Sequence, residues 1–259
     1  MCGIIGHIKL SGVIDQHIFH GMVKSLEHRG PDGEGVFISS DRKRALGHRR
    51  LSFLELTNLG KQPMCNSKKT VWVSFNGEIY NYIELKEELK SSYRFITGCD
   101  TEVILAAYQE WGIDFVTRLK GMFAIALLDE EKDELHLIRD RFGIKPLYYG
   151  ITEDEIVFAS ELKAIMASKV FPNKVNKSAI ADYFVYRYIP SPKTIWQGIK
   201  KLPPANYITI NLKDLSHKIL LYWELSASND NVEVGILASE TEGILKNSVK
   251  QHVRADVDI

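Results

Sequence analysis

The apolar positions of this 259-residue chain fall into short blocks separated by polar turns. Residues 2–10 (CGIIGHIKL) and 121–128 (GMFAIALL) are β-branched or aromatic runs, the pattern of buried strands. The charged stretch DEEKDE at 129–134 separates the second run from LHLIRD, which predicts a hairpin. Further strands are predicted at 35–39, 44–50, 71–75, 146–150 and 155–160. Helical spacing covers 15–27, 80–90 and most clearly 101–111, where Val103, Ile104, Ala107, Tyr108 and Trp111 share one stripe. Strand groups joined by hairpins as well as helices predict an α+β layered sandwich rather than a doubly wound parallel sheet.

The pattern changes near residue 190. IPSPKTIWQGIKKLPPANYITI places prolines at 190, 192, 203 and 204 and reads as an extended connecting segment. SASNDNVEV at 226–234 reads as a loop, and 233–252 returns to helix spacing. The expected division is a first domain over 1–188, a proline-rich connection over 189–228, and the start of an incomplete second domain over 229–259.

Composition narrows the function. Thirty-three basic and 33 acidic residues cancel, so no electrostatic footprint for nucleic acid or an anionic membrane is present. Small molecules or other proteins are the expected partners. Cys2, Cys65 and Cys99 are odd in number and lack metal-ligand spacing, which argues against a disulfide framework or a metal site and for a reducing compartment. No signal peptide precedes Cys2, and the longest apolar runs fall short of a membrane span. A cytoplasmic location is expected. Cys65 and Cys99 read as packing residues, and His7, His28 and His48 as structural hydrogen-bonding groups.

Candidate chemistry starts at the second residue. Removal of Met1 would leave Cys2 with a nucleophilic thiol and, on the same residue, an α-amino group of pKa near ~8 able to act as general base. A small buried residue at a strand start is the alternative. HRGPDGEG at 28–35 forms a tight glycine-rich loop or an ordinary surface turn. Arg49 and Arg50 end a predicted strand, where a guanidinium can grip a carboxylate with two parallel bonds or form an exposed ion pair. In SFNGEIYNY, Asn76 and Gly77 follow a predicted strand; a sharp turn there would converge two donors on one point, as an oxyanion hole requires. A plain hairpin turn is the alternative. Glu78 can bind a cation such as an ammonium. Asn81 with Glu84 reads as a capping box, and Asp100 as the N-cap of the 101–111 helix or a second partner for an ammonium.

Taken in order, MCGIIG, HRGPDGEG, HRRLSFLEL, QPM, FNGEIYNY, CDTEVIL, GMFAIALLD, RDRFGIKPLYY, FASELKAI and IPSPKTIWQGIKKLPPANY resemble the class II, N-terminal-nucleophile glutamine amidotransferases. The match is nearest to the glutamine-hydrolysing asparagine synthetase family. Sister families that serve sugar phosphates or phosphoribosyl pyrophosphate typically have histidine before the Asn-Gly pair, where this chain has Phe75.

The resemblance implies a four-layer αββα sandwich of the N-terminal nucleophile hydrolase type. It implies Cys2 as nucleophile with its own amino group as base, and Asn76 and Gly77 as oxyanion hole. It further implies Arg50 on the glutamine α-carboxylate, with the backbone of Leu51, Ser52, Phe53 and Leu54 closing around it, and Glu78 and Asp100 on the α-ammonium. Glutamine is the implied substrate. Aspartate, ATP and Mg belong to a synthetase half whose Ser-Gly-Gly-rich loop is missing from this sequence, so no cofactor is expected in the chain itself. A homodimer is compatible with the sequence. Two other readings stay open: ammonia delivered to another acceptor in a polysaccharide or secondary-metabolite pathway, and a non-catalytic glutamine-binding module.

Overall fold

The computed structural model describes residues 1–226, 234–254 and 256. In chain order the first half contains β1 (Gly3–Lys9), α1 (Gln16–Lys24), β2 (Gly33–Ile38), β3 (Arg44–Arg50), β4 (Met64–Cys65), β5 (Val71–Ile79), α2 (Tyr82–Leu89) and α3 (Asp100–Trp111). The hairpin β6 (Gly121–Asp129) and β7 (Glu134–Arg139) follows, then β8 (Tyr148–Ile151), β9 (Glu155–Ala159), α4 (Leu162–Ala167) and α5 (Lys177–Tyr186). The remainder is β10 (Ile199–Lys201), β11 (Asn206–Asn211), β12 (His217–Leu221) and α6 (Val234–His252).

The strands form two antiparallel sheets, ordered β10-β8-β9-β1-β3-β2 and β12-β11-β7-β6-β5-β4. Alternation along each strand decides which layer a side chain enters. On β1, Ile4 and Ile8 point between the sheets and Ile5 points outward to Phe19, Met22 and Val23 of α1. On β6, Ala124, Ala126 and Leu128 face the first sheet, while Phe123, Ile125 and Leu127 pack on Val103, Ile104 and Ala107 of α3. The order is therefore helix, sheet, sheet, helix, with an apolar core between the sheets and another under each helical layer. This is the four-layer α+β sandwich expected. No helix among the described residues is long and apolar enough to cross a membrane.

Several local expectations are corrected. Asn76 and Gly77 do not form a turn: β5 continues to Ile79, paired with β6 from Val71↔Asp129 to Ile79↔Gly121. A Cβ on Gly77 would lie 2.1 Å from the Met122 carbonyl oxygen, so the glycine is there because another backbone passes close by. The capping box at Asn81 is not formed. The Asn81 side chain instead accepts from the Lys120 N–H at 2.8 Å and donates to the Arg118 carbonyl at 3.1 Å. Cys99, not Asp100, occupies the N-cap of α3. The segment expected as an extended connection, 189–228, contributes β10, β11 and β12; β11 is an inner strand with β7 on one side and β12 on the other. Pro190 and Pro192 precede β10, and Pro203 and Pro204 lie between β10 and β11, so none of them costs a ladder hydrogen bond. The loop expected at 226–234 lies almost wholly outside the described residues.

Candidate active site

The first residues of β1 meet the last residues of β3, because antiparallel pairing sets Gly3 opposite Arg49. Cys2 and Arg50 consequently stand at the same end of the sandwich. The facing sheet brings Asn76, Gly77 and Glu78 of β5 to that end. The helix α3 adds Asp100, whose Oδ2 accepts the Ile79 N–H at 2.9 Å.

Cys2 is fixed on three sides. The Arg29 Nε donates to its carbonyl at 2.9 Å, and Arg29 is itself paired with Glu161 at 3.0 Å. The Leu51 N–H lies 3.4 Å from Sγ, and the thiol lies 3.6 Å from the Leu51 carbonyl. Burial pushes the thiol up from its ordinary pKa; the Leu51 N–H and the adjacent amino group oppose that shift by favouring the thiolate. The amino group of Met1 is lowered from its ordinary pKa, mainly by partial burial.

Two compartments meet at Cys2, Leu51, Phe53, Gly77 and Glu78, which line both. The smaller, about 40 Å³, is walled by Arg50, Leu54, Gln62, Asp100 and Thr101. The larger, about 250 Å³, is walled by Met1, Asn76, Tyr80, Met122, Lys145 and His252. In the smaller one the two carboxylates have no cation paired to them within salt-bridge distance among the described residues. Burial pushes both above the ordinary carboxylate range. Glu78 is raised further because the Asp100 charge adds to the effect, whereas the Ile79 and Thr101 N–H groups hold Asp100 back.

Arg50 uses its guanidinium on the loop that follows it. Nη1 donates to the Thr57 carbonyl at 2.9 Å, and Nη2 to the Leu54 carbonyl at 3.0 Å and to that of Glu55. Asn76 is 1% exposed, and its Nδ2 has no hydrogen-bond partner among the described residues. An unpaired buried donor is costly unless something arrives to accept from it. Of the residues expected at the site, only Ser52 lines neither compartment; its N–H donates to Asp32 Oδ2 at 2.8 Å and so ties the loop to HRGPDGEG. His48 crosses between the sheets instead, its Nε2 2.9 Å from the Phe75 carbonyl, and burial lowers its pKa to about 4.

A second group of residues gave no signal in the sequence. Past the end of α6, Arg254 forms a fork on Glu84, with both bonds at 2.7 Å, and donates to the Tyr80 carbonyl at 2.6 Å. The His252 ring lies against Tyr80 with centroids 3.8 Å apart and the ring planes tilted by 34°. Asp256 accepts from the Glu55 N–H at 2.7 Å and donates its own N–H to the Phe53 carbonyl at 3.0 Å. The far end of the chain thus straps down the Phe53–Glu55 loop from outside.

A sequence profile for the glutamine amidotransferase domain matches residues 1–223, from Met1 through β12. The chain belongs to the glutamine amidotransferase family. Among relatives of this amidotransferase, an asparagine synthetase [glutamine-hydrolyzing] 1 of Bacillus subtilis is 37% identical over 265 residues, covering all of this chain and 41% of that protein. A putative asparagine synthetase [glutamine-hydrolyzing] 2 of Methanocaldococcus jannaschii is 36% identical, again over all of this chain and 53% of the relative. The chain therefore spans about half the length of the curated relatives it matches. In fold it is similar to a glutamine phosphoribosylpyrophosphate amidotransferase from B. subtilis, with a TM-score of 0.63 and 21% identity over 86% of this chain and 49% of the other.

Proposed function

We propose that this amidotransferase hydrolyses glutamine at Cys2 and supplies the ammonia for the ATP-dependent amidation of aspartate, in the cytoplasm. The observation that carries the first step is the orphaned Asn76 Nδ2 in the wall of the cavity that Cys2 also lines.

The glutamine head enters the smaller compartment. Its α-ammonium sits between Glu78 and Asp100, and Arg50 exchanges loop carbonyls for the α-carboxylate, an anion that suits its fork better than neutral acceptors do. With Met1 removed, the Cys2 amine takes the thiol proton as Sγ adds to the amide carbon. Asn76 Nδ2 and the Gly77 N–H receive the oxyanion, donors already fixed in β5 and needing no reorganisation. The C–N bond then breaks, the proton held on the amine passes to the leaving nitrogen, and ammonia departs from a glutamyl thioester. Water, deprotonated by the same amine, releases glutamate.

The larger compartment, on the other side of the thiol from Arg50 and Asp100, offers the departing ammonia space. Activation of aspartate by ATP belongs, on this reading, to the half of the synthetase relatives that this chain does not span. The test is ammonia release from glutamine by protein whose mass shows Cys2 as first residue. Ammonia and glutamate should appear in equal amounts and cease in Cys2→Ala, and full activity of that variant refutes the reading.

A further inference from the structure

The turn after β7 is organised by one buried carboxylate. Asp140 Oδ1 accepts from the Phe142 N–H at 3.1 Å and the Ile144 N–H at 2.9 Å. Its Oδ2 accepts from the Lys145 N–H at 2.9 Å and the Phe123 N–H at 3.2 Å. From the other side, Arg139 Nε donates to the Lys145 carbonyl at 2.9 Å and Nη2 to that of Gly143 at 2.7 Å. Lys145 therefore has its backbone clamped on both sides, and its side chain forms part of the cavity wall together with Cys2 and Glu78.

Lys145 is 5% exposed, and among the described residues its ammonium makes no salt bridge. A buried cation without an ion-paired partner is unfavourable for folding and points to a role elsewhere. The charged and titratable groups that face it are Glu78 from β5, Cys2 from the start of β1, Arg29 from the turn after α1, and Asp140 on its own turn. With Met1 in place, the amino group of Met1 faces Cys2, Arg29, Lys145 and Asp32, one residue from where the Cys2 amine stands after Met1 is removed, and the Cys2 thiol also faces Glu78 and Asp100. Lys145 thus opposes two acids that would make the thiolate costly, and it repels a protonated amine.

We propose that Lys145 is a positioning residue for glutamine hydrolysis, a fixed cation that favours the neutral terminal amine and the anionic sulfur over their protonated forms. This rests on the hydrolysis reading above. The cation acts through the electrostatics of Cys2 and need not touch the substrate. Burial holds the ammonium below its ordinary pKa, while Glu78 and Cys2 counter that effect. Arginine in its place keeps the charge; methionine keeps the shape of the stem and removes it.

Two measurements on N-terminally processed protein test this. One is the acid limb of kcat/KM for glutamine against pH. The other, in a Cys2→Ser background that cannot turn over, is the pH midpoint for acylation of the α-amine, mapped by mass spectrometry. Lys145→Met should move both midpoints up by roughly half to one pH unit, the size expected for a nearby unit charge in a partly buried site. Lys145→Arg should restore them. If Lys145→Met does not fold, Lys145→Gln serves in its place. A midpoint that stays put in either assay overturns the proposal, whatever happens to the rate. If parent protein releases no ammonia the hydrolysis reading fails, and the acylation midpoint still tests the effect of the cation on the amine.

Discussion

The carboxylate of Asp100, at the first residue of α3, accepts the N–H of Ile79, the last residue of β5, at 2.9 Å. That bond places Asp100, which is buried, beside Glu78, which is half-buried, with no cation in salt-bridge contact with either among the described residues. The pair resists full ionisation until an ammonium arrives. Glutamine should therefore bind Cys2→Ala protein with release of protons, read by calorimetry in buffers of different ionisation enthalpy. The sign follows from the raised pKa values: affinity should climb as pH rises from the ordinary carboxylate range to about 8, to which burial and the Asp100 charge raise Glu78. Glu78→Gln should flatten that climb and raise KM roughly 10- to 100-fold, the value of a charge-assisted hydrogen bond.

Gly77 tolerates no side chain. An alanine Cβ would sit 2.1 Å from the Met122 carbonyl oxygen and 2.7 Å from Phe123 Cα, both backbone atoms of β6. Gly77→Ala should cost about 1–3 kcal/mol in denaturant melts through overpacking. By displacing one oxyanion donor it should also lower kcat by roughly 100- to 1000-fold. Wild-type kcat in this variant would remove Gly77 from the chemistry.

How much of this was legible beforehand follows from what each residue's signal depends on. The inner strands β1, β3, β5, β6, β7 and β9, with β2 and β8, are visible because period-2 alternation and apolar runs are local; β3, for example, is found at the expected 44–50, whereas β4, β10, β11 and β12 were not expected. Cys2, Arg50 and Asp100 carry their side-chain chemistry in the residue type, so they could be named before their meeting place was known. Asn76 and Gly77 could be named too, but their setting was misread as a turn because the Asn-Gly signal is local, whereas the close approach of Met122 that demands glycine is a contact between strands. Lys145 lies within RDRFGIKPLYY, but nothing local to that stretch shows that its side chain reaches the cavity beside Cys2, and Arg254 and Asp256 meet Tyr80, Glu84 and the Phe53–Glu55 loop through tertiary folding alone. β11 was hidden by the prolines on its N-terminal side, which suggested a linker.

His48 is a neutral residue buried between the sheets, with its pKa lowered to about 4. The unfolded chain binds a proton near the ordinary value of 6.5, so stability should fall as pH drops from about 6.5 to about 4 and level off below. The loss attributable to this residue is at most about 3 kcal/mol. His48→Gln keeps a donor for the Phe75 carbonyl and removes the titration. Urea midpoints at pH 7.5 and 5 should differ less in that variant than in the parent.

The strap at the end of the chain has a kinetic signature. Asp256 holds the Glu55 N–H at 2.7 Å, and Arg254 anchors the same segment to Glu84 and to the Tyr80 carbonyl. Arg254→Ala should loosen the loop that carries Phe53 and Leu54 and raise KM for glutamine about 3- to 10-fold, with kcat little changed, as suits a half-buried arginine paired to an exposed Glu84. Asp256→Ala should act in the same direction. An unchanged KM in both would show that the strap does not restrain the loop.

The central claim is that sulfur of the processed terminal residue becomes acylated by glutamine. It is tested most directly by mixing N-terminally processed protein with isotope-labelled glutamine, quenching in acid within the first turnovers, and mapping the adduct by peptide mass spectrometry. A glutamyl thioester on the peptide that begins Cys2-Gly3-Ile4 is the predicted result. Label on Cys65 or Cys99, or ammonia released with no adduct on Cys2, would contradict it.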